Sequence, residues 1–155
     1  MEKSKHYEDL LLQLDGLLCG ETDAVANMAN TAALLFQTLS QLNWAGFYIL
    51  RGNELVLGPF QGKPACVRIA LGKGVCGTAA QKAQTLVVPD VHAFAGHIAC
   101  DVASQSEIVI PIVYNGSVRG VLDIDSPIRE RFDNTDKLFL EKVVAIFTAH
   151  TDLSR

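Results

Sequence analysis

The spacing of apolar positions changes twice along the chain and divides it into three stretches. Up to about residue 39 it is helical. Tyr7, Leu11, Leu14 and Leu18 form one stripe, with Gly20 as its stop. A second helix is predicted from Thr22 as N-cap, carrying Val25, Met28, Ala32, Leu35 and Leu39 on its apolar face. Beyond residue 40 the pattern shortens to strand-like pieces. Strands are predicted at 43–50, at 54–60 across an Arg51-Gly52-Asn53 turn, and at 65–70 after Gly62-Lys63-Pro64. A short helix at 75–82 leads to a strand at 85–88. Residues 106–114 and 118–125 read as a hairpin around Asn115-Gly116, the strongest local turn signal in the chain. The helical period then returns. Asp133 is a predicted N-cap, followed by Phe139, Val143, Ile146 and Phe147 on one stripe.

Two helices, a meander of about six strands and a closing helix predict an α+β fold, with the N- and C-terminal helices packed on a mostly antiparallel sheet. Segment 89–105 carries little strand or helix signal. A loop of that length in a compact domain is usually functional, often a lid.

Strand parity concentrates the chemistry. Side chains alternate faces, so Leu122 and Ile124 take one side of their strand while Asp123 and Asp125 share the other. In the neighbouring strand Ile108, Ile110 and Ile112 face the core, which puts Glu107 opposite. Trp44 and Tyr48 share a face, with Phe47 and Ile49 on the other. One sheet face is then plain core. The other offers two aromatics and three acids beneath the long loop, a setting for a small cationic or zwitterionic molecule with an apolar tail.

The chain has 155 residues, 49% hydrophobic and 19% charged, enough for one domain with its own core. A net charge of −4 argues against nucleic acid or an anionic membrane as partner, because phosphate binding needs a basic surface. No export signal or membrane span is visible, which predicts a cytoplasmic protein. In that reducing compartment, cysteines are free, metal-bound or catalytic. Four cysteines are too few for a secreted disulfide scaffold.

Three of them, Cys66, Cys76 and Cys100, are well separated, and Cys100 lies within Gly96-His97-Ile98-Ala99-Cys100-Asp101. Such thiols fit a nucleophile with resolving partners better than a structural staple. A zinc site from His92, His97 and Cys100 with Cys66 or Cys76 has suitable donors but lacks the tight paired spacing of metal ligands. Gly72-Lys73-Gly74-Val75-Cys76-Gly77 matches a dinucleotide-binding pattern in form. The helix after it is too short for a crossover, so the glycines read as turn residues before a helix whose N-terminal amides can meet an anion. Cys76 at that position also reads as a small buried hydrophobe, and Cys19 as structural.

The strings Gly58-Pro59-Phe60-Gln61-Gly62-Lys63, Ala65-Cys66-Val67-Arg68-Ile69, Gly74-Val75-Cys76-Gly77-Thr78, Asp90-Val91-His92, the Cys100 motif, Ser106-Glu107-Ile108-Val109 and Gly120-Val121-Leu122-Asp123-Ile124-Asp125-Ser126 together resemble the free methionine-(R)-sulfoxide reductases. These are single-domain members of the GAF fold, and the resemblance runs over nearly the whole chain. It implies one GAF domain over residues 1–155. Cys100 matches the catalytic cysteine, Cys66 the main resolving cysteine, and Cys76 a third cysteine of secondary role. Trp44 and Tyr48 match aromatics around the substrate methyl group. Glu107, Asp123 and Asp125 match acids that hold and polarise the substrate. The resemblance further implies reduction of free methionine (R)-sulfoxide without a cofactor, recycling by thioredoxin or a similar dithiol, and a homodimer. The competing class is a GAF module that binds a small ligand without catalysis.

Overall fold

The computed structural model describes residues 2–98 and 100–154. Met1, Ala99 and Arg155 lie outside the described residues, so one position of the Cys100 motif is not described. The elements follow in the order α1 (Glu2–Leu18), α2 (Ala24–Thr38), β1 (Trp44–Arg51), β2 (Glu54–Gly62), β3 (Arg68–Ala70), α3 (Gly74–Lys82), β4 (Leu86–Val88), β5 (Ser106–Tyr114), β6 (Ser117–Ser126) and α4 (Asn134–His150). The six strands form one sheet in the order β3-β2-β1-β6-β5-β4, with antiparallel neighbours throughout. This is the predicted α+β architecture, with a fully antiparallel sheet.

Helices α1, α2 and α4 share one side of the sheet. Their apolar stripes meet Ala45, Phe47, Ile108, Ile110, Ile112, Leu122 and Ile124 in a continuous core. Each Leu, Ile or Phe buried there contributes about 1.5–3 kcal/mol. The N-terminal helix is tied to the C-terminal one at the rim of this core. The Tyr7 hydroxyl donates to Asp136 Oδ1 at 2.6 Å, and Lys3 Nζ lies 2.7 Å from Asp136 Oδ2. Arg131 adds a third contact to the same buried carboxyl, at 3.3 Å. Asp133 caps α4 as expected and forms a reciprocal capping box with Asp136.

Several element details differ from the sequence expectation. The α1 stripe centres on Leu10, which is buried, while Leu11 only borders the core. The N-cap of α2 is Asp23, not Thr22. The Asp23 carboxylate accepts from Ala26 N at 2.9 Å, whereas the Thr22 and Asp23 amides are held by the Glu21 side chain. That start leaves Val25 in the first turn on the outer side, 62% exposed. In α4, Leu140 and Val144 are buried and Ile146 borders the core. Strand β3 begins at Arg68 instead of residue 65, because the chain before it is drawn toward the loop that carries Cys100. Thr85 lies before β4, its hydroxyl donating to Glu141 of α4 at 2.7 Å.

Helix α3 lies on the opposite side of the sheet. It connects β3 to β4, the two edge strands, and so crosses the whole sheet. The crossing packs Val75, Cys76, Ala79 and Ala80 against Trp44, Tyr48, Val109 and Val121 in a second apolar cluster. Contact is close enough that a Cβ at Gly77 would lie 2.4 Å from the Ala70 carbonyl oxygen. The glycines before α3 serve a turn, as expected, and Gly77 within it also permits a close helix-to-strand approach. Among its described residues, segment 89–105 contains a short 3-10 turn, Val91–Ala93, and no longer element, and it covers the outer end of this side. Among the described residues, no helix is long and apolar enough to cross a membrane.

Candidate active site

Register places the polar residues of the α3 side in rows across three adjacent strands. In the first row Trp44 pairs with Asp125, which pairs with Glu107, which pairs with Val88 of β4. In the second, Gly46 pairs with Asp123 and Asp123 with Val109. In the third, Tyr48 pairs with Val121 and Val121 with Pro111. Two rows of carboxyls are thus flanked by two aromatics on β1 and closed beyond by valines. Gly46 makes the aromatic wall possible. A Cβ there would meet Phe60 Cβ at 2.3 Å and the Trp44 ring at 2.8 Å. Without one, the Trp44 indole stacks on Phe60 at 5.1 Å and approaches Tyr48 at 5.9 Å between centroids.

The first turn of α3 faces these rows. Gly74, Val75 and Cys76 line a cavity together with Trp44, Tyr48, Glu107, Asp123 and Asp125. Across it lie His97, Ile98, Cys100, Asp101 and Ser104 of the 89–105 segment. The predicted lid is therefore over the predicted site. Its volume is about 40 Å³, room for a few waters at about 10–15 Å³ each and far too little for an amino acid.

Cys66 and Cys100 are joined by a disulfide, with Cα atoms 5.5 Å apart. Cys66 lies between β2 and β3, Cys100 between β4 and β5. The aromatic wall anchors the Cys66 side. Tyr48 donates its hydroxyl to the Cys66 carbonyl at 2.8 Å, and Trp44 Nε1 donates to the Lys63 carbonyl at 3.1 Å. The lid side is held by residues that the sequence did not single out. Asn43 Nδ2 donates to Asp101 Oδ2 and to Ser104 Oγ, both at 3.0 Å. Ser104 Oγ in turn lies 3.4 Å from Asp125 Oδ2. Gly46 carried a legible signal, a glycine inside a strand between two aromatics. Asn43, Asp101 and Ser104 carried none, since their meeting depends on how the lid folds back.

Burial dominates the electrostatics. Glu107 and Asp123 are 7% and 5% exposed, and among the described residues no Lys or Arg lines the cavity. Burial pushes Glu107, Asp123 and Asp125 all well above the ordinary carboxylate range. Neighbouring charge pushes further: Asp123 acts on Glu107, Asp125 on Asp123, and Glu107 on Asp125. Crowding of the three carboxyls is thus second to desolvation. Burial and the same acids raise the Cys76 thiol and the Tyr48 phenol. Burial and His92 lower His97, which favours a neutral imidazole on the lid. Asp123 Oδ1 and Asp125 Oδ1 are buried acceptors without a hydrogen-bond partner, a condition that costs about 1–3 kcal/mol per group.

All eight residues singled out from the sequence, Trp44, Tyr48, Cys66, Cys76, Cys100, Glu107, Asp123 and Asp125, meet at this cavity or at the bridge across it. Of the alternative zinc set, Cys100 is bonded to Cys66, and His97 but not His92 is among the described residues lining the cavity. Cys19 is exposed on the far side of the chain order, at the end of α1. Chemically, the site joins an oxidisable thiol pair to acids that hold their protons more tightly than ordinary carboxyls, with unfilled acceptors and a helix N-terminus nearby.

A family model described as GAF domain matches residues 22–150. The chain is 53% identical over 145 residues to the free methionine-R-sulfoxide reductase of Escherichia coli (strain K12), covering 94% of this chain and 88% of that one. It is 47% identical over 154 residues to the free methionine-R-sulfoxide reductase of Saccharomyces cerevisiae, covering 94% and 86%. Among solved structures, free methionine-R-sulfoxide reductase from Neisseria meningitidis in complex with its substrate superposes with a TM-score of 0.95. The identity is 45%, over 100% of this chain and 93% of that one.

Proposed function

Given that the chain belongs to the GAF domain family and, within it, to the free methionine-R-sulfoxide reductases, we propose that it is an oxidoreductase that reduces free L-methionine (R)-sulfoxide to L-methionine. The observation that carries this reading is the Cys66–Cys100 bridge closed over a cavity of buried carboxyls and aromatics. We take residues 1–155 to act as one domain and the working form to be a homodimer.

With the bridge reduced, the lid is released and the cavity enlarges to take the substrate. The substrate carboxylate meets the first turn of α3, where backbone amides lack intrahelical partners. Its ammonium pairs with one of the two unfilled aspartate acceptors, and its methyl-sulfinyl end lies against Trp44 and Tyr48. A peptide-bound methionine lacks the free ammonium and carboxylate, so the same contacts select the free amino acid.

The Cys100 thiolate attacks the sulfoxide sulfur. A protonated carboxyl of the Glu107, Asp123 and Asp125 group donates to the sulfoxide oxygen as the S–O bond breaks, and the raised pKa values keep such a proton available at neutral pH. Carboxyls held neutral also oppose thiolate formation at Cys100 far less than ionised ones would. The protonated oxygen passes from the substrate sulfur to the Cys100 sulfur as the bond between the two sulfurs breaks, so that methionine leaves and Cys100 is left as a sulfenic acid. The Cys66 thiol displaces water from it to form the disulfide. A dithiol such as thioredoxin then supplies two electrons and two protons by exchange. The net change is sulfoxide plus dithiol to methionine, disulfide and water. These steps leave Cys76 unoxidised.

The test is turnover in a thioredoxin-coupled NADPH assay with separated epimers of free and peptide-bound substrate. Cys100→Ser abolishes turnover, and Cys66→Ser gives about one methionine per enzyme before stalling. Multiple turnover by Cys100→Ser overturns the mechanism. Thiol titration separates the sensor alternative: the enzyme loses two thiols on adding methionine sulfoxide, a non-catalytic module none.

A further inference from the structure

The proposed reaction uses neither Cys19 nor Cys76, yet Cys76 is set among the carboxyls. It is 4% exposed, in the first turn of α3, with its sulfur 3.9 Å from Glu107 Oε2. The Cys76 sulfur and carboxylate oxygens of Glu107 and Asp123 all lie within 4.8 Å of one another. Asp123 Oδ1, on a side chain 95% buried, has no hydrogen-bond partner. The cavity wall carries four carboxyls, including Asp101, and neither Lys nor Arg. This is a pocket short of positive charge with an unfilled acceptor inside it.

We propose that the reduced protein binds one thiophilic divalent cation, Zn²⁺ or Cd²⁺, through Cys76 Sγ, Glu107 and Asp123, in the space the substrate occupies. The donor set decides the class. One sulfur and two carboxylates suit a borderline-soft ion, whereas Mg²⁺ and Ca²⁺ require all-oxygen shells. The geometry needs little adjustment. Zinc bonds of about 2.3 Å to sulfur and 2.0–2.2 Å to oxygen place tetrahedral S and O ligands roughly 3.6 Å apart, so a sulfur–oxygen pair at the outer limit draws in by about 1.2 Å. His97, which lines the same cavity, or water completes the shell. Binding expels protons from the thiol and the carboxyls, so affinity rises with pH. The disulfide-closed form has no room to admit a hydrated ion. The cation therefore competes with substrate and holds the enzyme in its reduced, idle form. That last consequence rests on the proposed reductase activity, whereas the binding site itself does not.

The probe is Cd²⁺ alone, titrated into Cys19→Ser/Cys66→Ser/Cys100→Ser protein, in which Cys76 is the sole thiol. A thiolate-to-cadmium absorption band saturating at one equivalent is expected. Adding Cys76→Ala eliminates the band, and adding Asp123→Asn weakens binding by about tenfold or more. Absence of the band in the triple variant, with circular dichroism like that of the parent, overturns the proposal, as does a band that survives Cys76→Ala. Should the triple variant not fold, reduced protein with all four cysteines decides by calorimetry. Zn²⁺ affinity equal in the parent and in Cys76→Ala then overturns the proposal, and a loss of about tenfold or more supports it. Because the readout is binding, a parent protein that ligates Cd²⁺ yet reduces no sulfoxide refutes the function and not the site.

Discussion

Both faces of the sheet are buried, but what they bury differs. The α1/α2/α4 face packs a continuous apolar cluster, and the one buried carboxyl at its rim, Asp136, is held by Tyr7, Lys3 and Arg131. The α3 face also has an apolar cluster, yet it encloses Glu107, Asp123 and Cys76 in the same layer. One backbone pleat feeds both, since Leu122 and Ile124 alternate with Asp123 and Asp125 along β6. The first face accounts for stability, and the second gives some of it up. Burying carboxyls without cationic partners is unfavourable, and two acceptors there go unfilled. A strained, under-satisfied face on a well-packed support is the arrangement expected where affinity for a ligand has been selected over stability.

Substitutions on the two faces should therefore act with opposite sign on folding. The largest effect is expected at Phe47, fully buried and 5.1 Å from Phe147 between ring centroids. Phe47→Ala should cost about 3–5 kcal/mol in urea unfolding, with normal activity per folded molecule at low temperature. A loss below 1 kcal/mol would show that this face is not the support.

Next comes Asp123→Asn, with an expected activity loss of about 100-fold or more and a gain in stability. Burial raises the Asp123 pKa above its unfolded value near 3.8. The carboxyl thus favours the fold fully only below that pH. As pH climbs toward the raised native value, the unfolded state ionises first and stability is lost. An amide does not ionise. Melting curves at pH 5 and pH 8 should show the variant above the parent, by a wider margin at pH 8. A variant less stable than the parent at pH 8 breaks the contrast between the faces.

The smallest effect concerns Tyr48. Tyr48→Phe keeps the ring and loses the hydrogen bond to the Cys66 carbonyl, worth about 0.5–1.5 kcal/mol. Rapid-quench kinetics should show bridge formation slowed about threefold to tenfold, with KM and the first release of methionine unchanged. A raised KM instead would make the hydroxyl a substrate contact and not a support for Cys66.

How far the chain announced this arrangement depends on distance along it. Period and parity placed the helices, the hairpin and the acid face, because those signals repeat within a few residues. Single-residue offsets followed where two neighbours compete, as with Leu10 against Leu11, or Asp23 against Thr22, where Glu21 decides the cap. Strand 65–70 was read too long because its first half answers to Cys100, more than thirty positions away. The Asn43, Asp101 and Ser104 clasp was invisible for the same reason. The weight of burial over crowding was also hidden, since parity shows that carboxyls share a face but not that α3 roofs them.

The bridge has one more consequence. It joins the loops beside β3 and β4, strands at opposite rims of the sheet, and the hollow beneath it holds only a few waters. Under the proposed reaction, methionine departs before the two rims are stapled, and fresh sulfoxide waits until a reductant cuts the staple. On that reading substrate and reductant take turns at the chamber and never share it.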